Sequence, residues 1–180
     1  YALGGREVRI ADLERIPEIV HATLVLEPEI DALSERYRYM RHAVVVGRGL
    51  NYANAFEMSL KLMETCYVVA ERFSSADFMH GPIELVEQSF PVFAFAPPGT
   101  TWPSIGETIV KLKGLQAEII AIADSGNHEV DRTATKIIRL PRRVKEILTP
   151  IPYIIPAQMF AACLATHKGL NPVKPRTLSK

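Results

Sequence analysis

A chain of 180 residues is long enough for one α/β domain with a real core. Its net charge of +1, with 48% hydrophobic and 23% charged residues, is ordinary for a globular protein and gives no support to a nucleic-acid surface. No apolar run approaches the ~18 residues of a membrane span. With no secretory signal expected and two cysteines lacking metal-type spacing, Cys66 and Cys163 read as small buried hydrophobes in a reducing cytoplasm. The chain opens on Tyr1 and is expected to be a piece of a longer protein, whose other part carries some of the active site.

Residues 11–40 are expected to form two helices: Leu13, Ile16, Ile19, Val20 and Leu24 fall at helical spacing, and Pro28 marks a break and restart. Ala43 to Val46 is a short β-branched run ended by Gly47 and reads as a buried strand. Further strands are expected at 67–70, 91–96, 118–123 and 136–140, with helices at about 52–66, 80–88, 103–115 and 151–168. Apolar strands alternating with helices predict a flavodoxin-like three-layer α/β/α domain with a five-stranded parallel sheet. In such a domain ligands bind at the carboxyl ends of the strands. The short basic cluster of Arg139, Arg142, Arg143 and Lys145 lacks interleaved aromatics and reads as a solvated edge.

Three segments could carry chemistry. Gly47-Arg48-Gly49 follows a strand and opens a helix, as a phosphate-cradling turn does. Tyr52 stands where a dinucleotide fingerprint needs a small residue, and no Gly-Lys-Ser/Thr closes a P-loop. A plain tight turn explains the glycines equally well. In the next helix Glu57, Lys61 and Glu64 share one stripe roughly 60° wide, between apolar flanks of Phe56, Leu60 and Met63 and of Met58, Leu62 and Cys66. The stripe is either a thin exposed line of ion pairs, each worth about 0.2–0.5 kcal/mol, or an acid/base seam in a cleft. His80, before Gly81-Pro82, is placed near a helix N-terminus, where the dipole favours neutral imidazole. Histidines in such positions also simply cap or pack.

Taken together, VVVGRG, FEMSLKLMETCY, the loop ending His80-Gly81-Pro82 and the terminal PRTLSK resemble the second sugar isomerase (SIS) domain of the glucosamine-6-phosphate synthase family. The resemblance runs from about Leu13 to Lys180. It extends to shorter two-SIS relatives of the glucosamine-6-phosphate deaminase type, which the Ser74–Phe78 wording resembles more closely. It implies helices over 1–40 packed on a SIS domain over 41–170, and a catalytic tail over 171–180. It also implies that Glu64 shuttles a proton between C1 and C2 of the sugar and that His80 opens the ring, in the family across a dimer interface. Lys61 lies near the reacting oxygens, and Lys180 forms a Schiff base with the open-chain ketose. Glu57, with Gly47, Arg48, Gly49 and Ser75, is assigned to substrate binding. The expected reaction interconverts fructose 6-phosphate and glucosamine 6-phosphate with amination or deamination, and no metal or organic cofactor. The expected partners are a phosphosugar, a first SIS domain and a second copy of the chain, with neither nucleic acid nor membrane. A glutamine-dependent synthase and a phosphosugar sensor are the competing readings. The Ser/Thr-rich phosphate loop of a first SIS domain is missing here.

Overall fold

The computed structural model describes residues 8–174 and 176. Five parallel strands, β1 (His42–Gly47), β2 (Val69–Ser74), β3 (Pro91–Phe95), β4 (Glu118–Asp124) and β5 (Lys136–Leu140), form one sheet in the order β2-β1-β3-β4-β5. β1, β3 and β4 are apolar at almost every position because helices cover both faces. Alternation within each strand divides the core. Val45, Phe93, Phe95, Ile120 and Ile122 point to one layer, and Val44, Val46, Val92, Ile119 and Ala121 to the other.

The first layer holds α2 (Ile16–Leu24), α3 (Glu27–Glu35), α4 (Asn51–Cys66) and α7 (Pro150–His167). α7 lies centrally among the other three, so it is apolar around most of its circumference. Its Phe160 ring meets Phe93 edge-on at 5.0 Å and Tyr37 at 5.8 Å. The second layer contains α5 (Ser75–Met79) and α6 (Trp102–Gly114), with Ile105, Ile109 and Leu112 facing the sheet.

Some expectations change. The N-terminal region forms three helices, α1 (Ile10–Glu14) preceding α2 and α3, and Pro28 sits in the first turn of α3, where a missing N–H costs nothing. These helices share the core: Ile30, Tyr37 and Met40 are buried, and the Tyr37 hydroxyl donates to Glu118 Oε1 at 2.7 Å. β2 begins at Val69 and runs to Ser74, because Tyr67 takes the left-handed conformation (φ 53°) that ends α4. As an edge strand β2 carries the charged Glu71 and Arg72, which hid its second half from a search for apolar runs. The expected helix at 80–88 is replaced by α5 and a 3₁₀ turn over Pro82–Leu85. Ser74 caps α5, accepting from the Asp77 N–H at 3.3 Å, and Gly81-Pro82 prevents continuation. Cys66 is buried and donates from Sγ to the Ala161 carbonyl at 3.1 Å, whereas Cys163 is only half-buried. No helix among the described residues is long and apolar enough to cross a membrane.

Candidate active site

The sheet order reverses between β1 and β3, so the crevice at their carboxyl ends is the expected ligand position. A cavity of about 530 Å³ lies there, lined by Arg48, Gly49, Asn51, Thr100, Thr101 and Glu146. Gly47 is required by close approach, since a Cβ would come within 2.4 Å of the Asn51 carbonyl oxygen. Gly49 has φ +56° and faces Thr101.

The crevice is largely satisfied from within. The turn that opens α6 binds the Glu146 carboxylate: the Thr100 N–H and hydroxyl donate to Oε2 at 2.6 and 2.8 Å. The Thr101 N–H donates to Oε1 at 2.9 Å, joined by the Thr101 hydroxyl. Gly99, at φ +134°, leaves the space this carboxylate enters. Burial pushes the Glu146 carboxyl up, but the four donors outweigh it and hold the group below its ordinary value. On the other side Asn51 Nδ2 donates to Thr149 Oγ1 at 2.7 Å, and that hydroxyl donates to the Glu146 carbonyl at 2.6 Å. The neighbouring Lys145 pairs with the buried Asp12 at 2.6 Å and, with the Arg9 N–H, holds that carboxyl far below the usual range. The loop after β5 is thereby fastened to α1, α4 and α6. No sequence pattern joined residues 100 and 146; the only local hint of Glu146 was a Gly-Thr-Thr turn ahead of a helix.

The charged stripe lies elsewhere. Lys61 Nζ is 2.9 Å from Glu64 Oε2 and 3.9 Å from Glu57 Oε1, and the three side chains are 29–34% exposed. The hydrogen bond to Glu64 raises the Lys61 pKa, so the ammonium form is favoured beside a carboxylate. Gln158, on α7, donates from Nε2 to Glu57 Oε1 at 3.1 Å, a partner the sequence gave no reason to single out. Beside the stripe Phe56, Leu60 and Met63 are 45%, 42% and 36% exposed. Arg72 of β2 stands 4.8 Å over the Phe56 ring, and Tyr52 meets that ring edge-on at 4.9 Å. The opposite flank, Met58, Leu62 and Cys66, is fully buried.

α4 runs back from the carboxyl end of β1 to the start of β2, which separates the expected site residues. Glu64 lies 13 residues beyond Asn51, about 20 Å along the helix from the Gly47–Gly49 loop. His80 follows β2 and is exposed at the end of α5, one residue before the Gly81 that caps the 3₁₀ turn over Pro82–Leu85, so it stands near the start of a single short turn and not of the longer helix expected over 80–88. Glu64 sits near the start of β2 and His80 beyond its end, a separation of roughly 20 Å for a six-residue strand. Ser75 is fully buried, its hydroxyl 2.7 Å from that of Ser104 across the α5–α6 contact. Lys180 lies outside the described residues. The structure therefore brings together Glu57, Lys61 and Glu64, and places Gly47, Arg48, Gly49, Ser75 and His80 toward the other end of the sheet. Among the described residues no cluster of three or more His, Cys, Asp or Glu is arranged to hold a metal.

A parallel 2-1-3-4-5 sheet covered by helices on both faces, with an ion-paired stripe on the helix after its first strand, defines a flavodoxin-like three-layer α/β/α domain. The chain belongs to the SIS domain family, whose model matches residues 37–168. It is 37% identical over 168 residues to the glutamine–fructose-6-phosphate aminotransferase [isomerizing] of Pyrococcus horikoshii, covering 93% of this chain and 28% of that protein. The Aquifex aeolicus enzyme of the same name is 31% identical, with 100% and 31% covered. The C-terminal domain of glucosamine-fructose-6-phosphate aminotransferase from Francisella tularensis aligns with a TM-score of 0.82 at 27% identity, over 89% of this chain and 45% of that one. The chain thus spans under a third of the length of these curated relatives.

Proposed function

We propose that this chain supplies the isomerising acid–base group of an amino-sugar-phosphate enzyme that interconverts fructose 6-phosphate and glucosamine 6-phosphate. The observation that carries this reading is the Lys61–Glu64 pair, a carboxylate and an ammonium 2.9 Å apart on a half-exposed stripe of a SIS domain. Ketose–aldose exchange needs a base to take a proton from one carbon and return it to the next, and a cation beside the oxygen that becomes negative. Glu64 is the proton carrier between C1 and C2. Lys61, protonated by virtue of its neighbour, stabilises the developing oxyanion. Glu57 holds Lys61 from the other side and is itself oriented by Gln158. Lys180 is assigned the Schiff base with the open-chain ketose.

The stripe faces outward, so its substrate is bound by a surface on another domain. The exposed Phe56–Leu60–Met63 ridge supports an apolar contact alongside it, and the relatives are more than three times as long as this chain. We assign that surface to a first SIS domain carrying the phosphate loop. His80, roughly 20 Å from Glu64 by strand length, serves the site of a neighbouring copy rather than its own. That the relatives are glutamine–fructose-6-phosphate aminotransferases supports glutamine as the nitrogen source, with the glutaminase outside this chain.

The test is sugar-phosphate isomerisation by the protein at its full natural length and by its Glu64→Gln variant. Loss of about 10²- to 10⁴-fold is expected for removal of a positioned base. A variant that isomerises at the full rate contradicts the assignment.

A further inference from the structure

We infer that the cavity at the carboxyl ends of β4 and β5, where Arg15 meets Arg142 and Arg143, binds a phosphorylated small molecule bearing two or more negative charges.

The basic residues that end and follow β5 are not one uniform solvated edge. Arg139 is spent on the fold: its guanidinium donates to the Asp124 carbonyl at 2.9 Å and to that of Asn127, and it pairs with Asp131. The buried Asp124 carboxylate, at the end of β4, accepts from the Gly126 N–H at 2.7 Å and the Val144 N–H at 3.0 Å. The loop after β5 is therefore pinned to the loop after β4. Arg143 leaves this frame as an exposed side chain whose stem lies against Gly126, where a Cβ would stand 3.1 Å from its Cγ and Cδ.

A cavity of about 650 Å³ opens beside that stem, and its lining includes Arg15, Ser125, Arg142, Arg143, Lys145 and Glu146. Such a volume suits a small-molecule ligand. Arg15 comes from the junction of α1 and α2, so cations from two distant segments converge on one concavity. Four cations face one carboxylate, and Thr100 and Thr101 already saturate Glu146. Lys145 is paired with Asp12, and Arg142 with Glu18 at 3.2 Å between side chains more than half exposed. An exposed pair of that kind is weak and yields to a stronger anion. Arg15 and Arg143 have no carboxylate partner among the described residues. A guanidinium meets phosphate oxygens through two parallel N–H bonds, and three arginines around one cavity offer several such forks. The Ser125 hydroxyl adds a neutral donor. No aromatic ring lines the cavity, so a base would find no stacking platform and recognition rests on the charged group. The cavity lies at the other end of the sheet from Glu64, and its occupancy does not depend on the roles proposed for the α4 stripe.

The experiment titrates inorganic pyrophosphate calorimetrically into the full-length protein and its Arg15→Ala, Arg143→Ala, Arg143→Lys and Arg72→Ala variants. Either alanine in the cavity is expected to weaken binding by about tenfold or more, as loss of a charge-assisted hydrogen-bonding partner implies. Arg143→Lys keeps the charge but loses the fork, so its affinity should fall between wild type and Arg143→Ala. Arg72, on β2 and remote from the cavity, should be replaceable without effect. Unfolding midpoints without pyrophosphate should stay unchanged in Arg15→Ala and Arg143→Ala, because both arginines are exposed. A repeat with excess fructose 6-phosphate separates the sources of the phosphate: displacement of the variant-sensitive binding assigns the cavity to a sugar phosphate. Persistence assigns it to another phosphorylated compound. Absence of pyrophosphate binding, or equal affinity in wild type and both cavity alanine variants, overturns the site. An equal loss in Arg72→Ala marks unspecific charge attraction and overturns it too.

Discussion

The crevice between β1 and β3 and the stripe on α4 both gather charged and polar groups, yet they satisfy them in opposite ways. In the crevice the Glu146 carboxylate receives four hydrogen bonds from Thr100 and Thr101, and its backbone is tied through Thr149 to Asn51. Removing the carboxylate takes the acceptor from four donors at once, two of them on the half-buried Thr101. On α4 a lysine and two carboxylates pair, among the described residues, with one another and with Gln158, on a surface a third exposed. Pairs of that kind contribute little to stability. Burial does not separate the two, since Glu146 and the stripe are both half-buried; saturation of the hydrogen-bonding directions does. By that criterion the α4 stripe, more than the usual ligand position of a doubly wound sheet, is the place for the chemistry proposed above.

The contrast can be broken most decisively at Glu64. Glu64→Gln should remove about two or more orders of magnitude of isomerisation while moving stability by less than about 0.5 kcal/mol, because the ion pair is partly solvated. Glu146→Ala should act the other way, lowering stability by about 1–3 kcal/mol through its orphaned donors. In a domain of this size that is a midpoint lower by about 2–4 °C for each kcal/mol, read in a thermal melt.

The pH dependence sharpens the second result. The Glu146 carboxyl lies below its unfolded value, so its contribution is complete above about pH 5 and fades as the pH falls through the folded value. The stability difference between the wild type and Glu146→Gln should therefore be flat from about pH 5 upward and shrink in acid. The smallest effect on the folded chain is expected from Leu60→Asp, because Leu60 is already exposed. That variant should leave the melt unchanged and loosen the contact with the first SIS domain assigned to this face, measured as a raised KM for the sugar phosphate in the full-length protein.

Much of this arrangement was legible in the residues. The runs Ala43–Val46 and Glu118–Ala123 are β-branched and apolar because both faces of the sheet are covered, so strands and fold class followed from pattern. The Glu57–Lys61–Glu64 stripe was visible at helical spacing, and its ion pairs formed as expected. What the stripe faced was not visible, since periodicity gives a direction around a helix and no partner. The strand expected at 67–70 caught only the start of β2, because an edge strand tolerates Glu71 and Arg72, and the His80 helix failed because Ser74 caps a shorter one. Glu146 and Gln158 act through contacts 45 and 101 residues apart, for which local chemistry carries no signal.

The most direct test places Glu64→Gln and Glu146→Gln side by side in the full-length protein, measuring isomerisation kcat and the thermal midpoint of each. Loss of turnover at an unchanged midpoint in the first, with a lowered midpoint and retained turnover per folded molecule in the second, is the predicted result. Full turnover in Glu64→Gln, with turnover abolished in a folded Glu146→Gln, would contradict it and return the chemistry to the crevice.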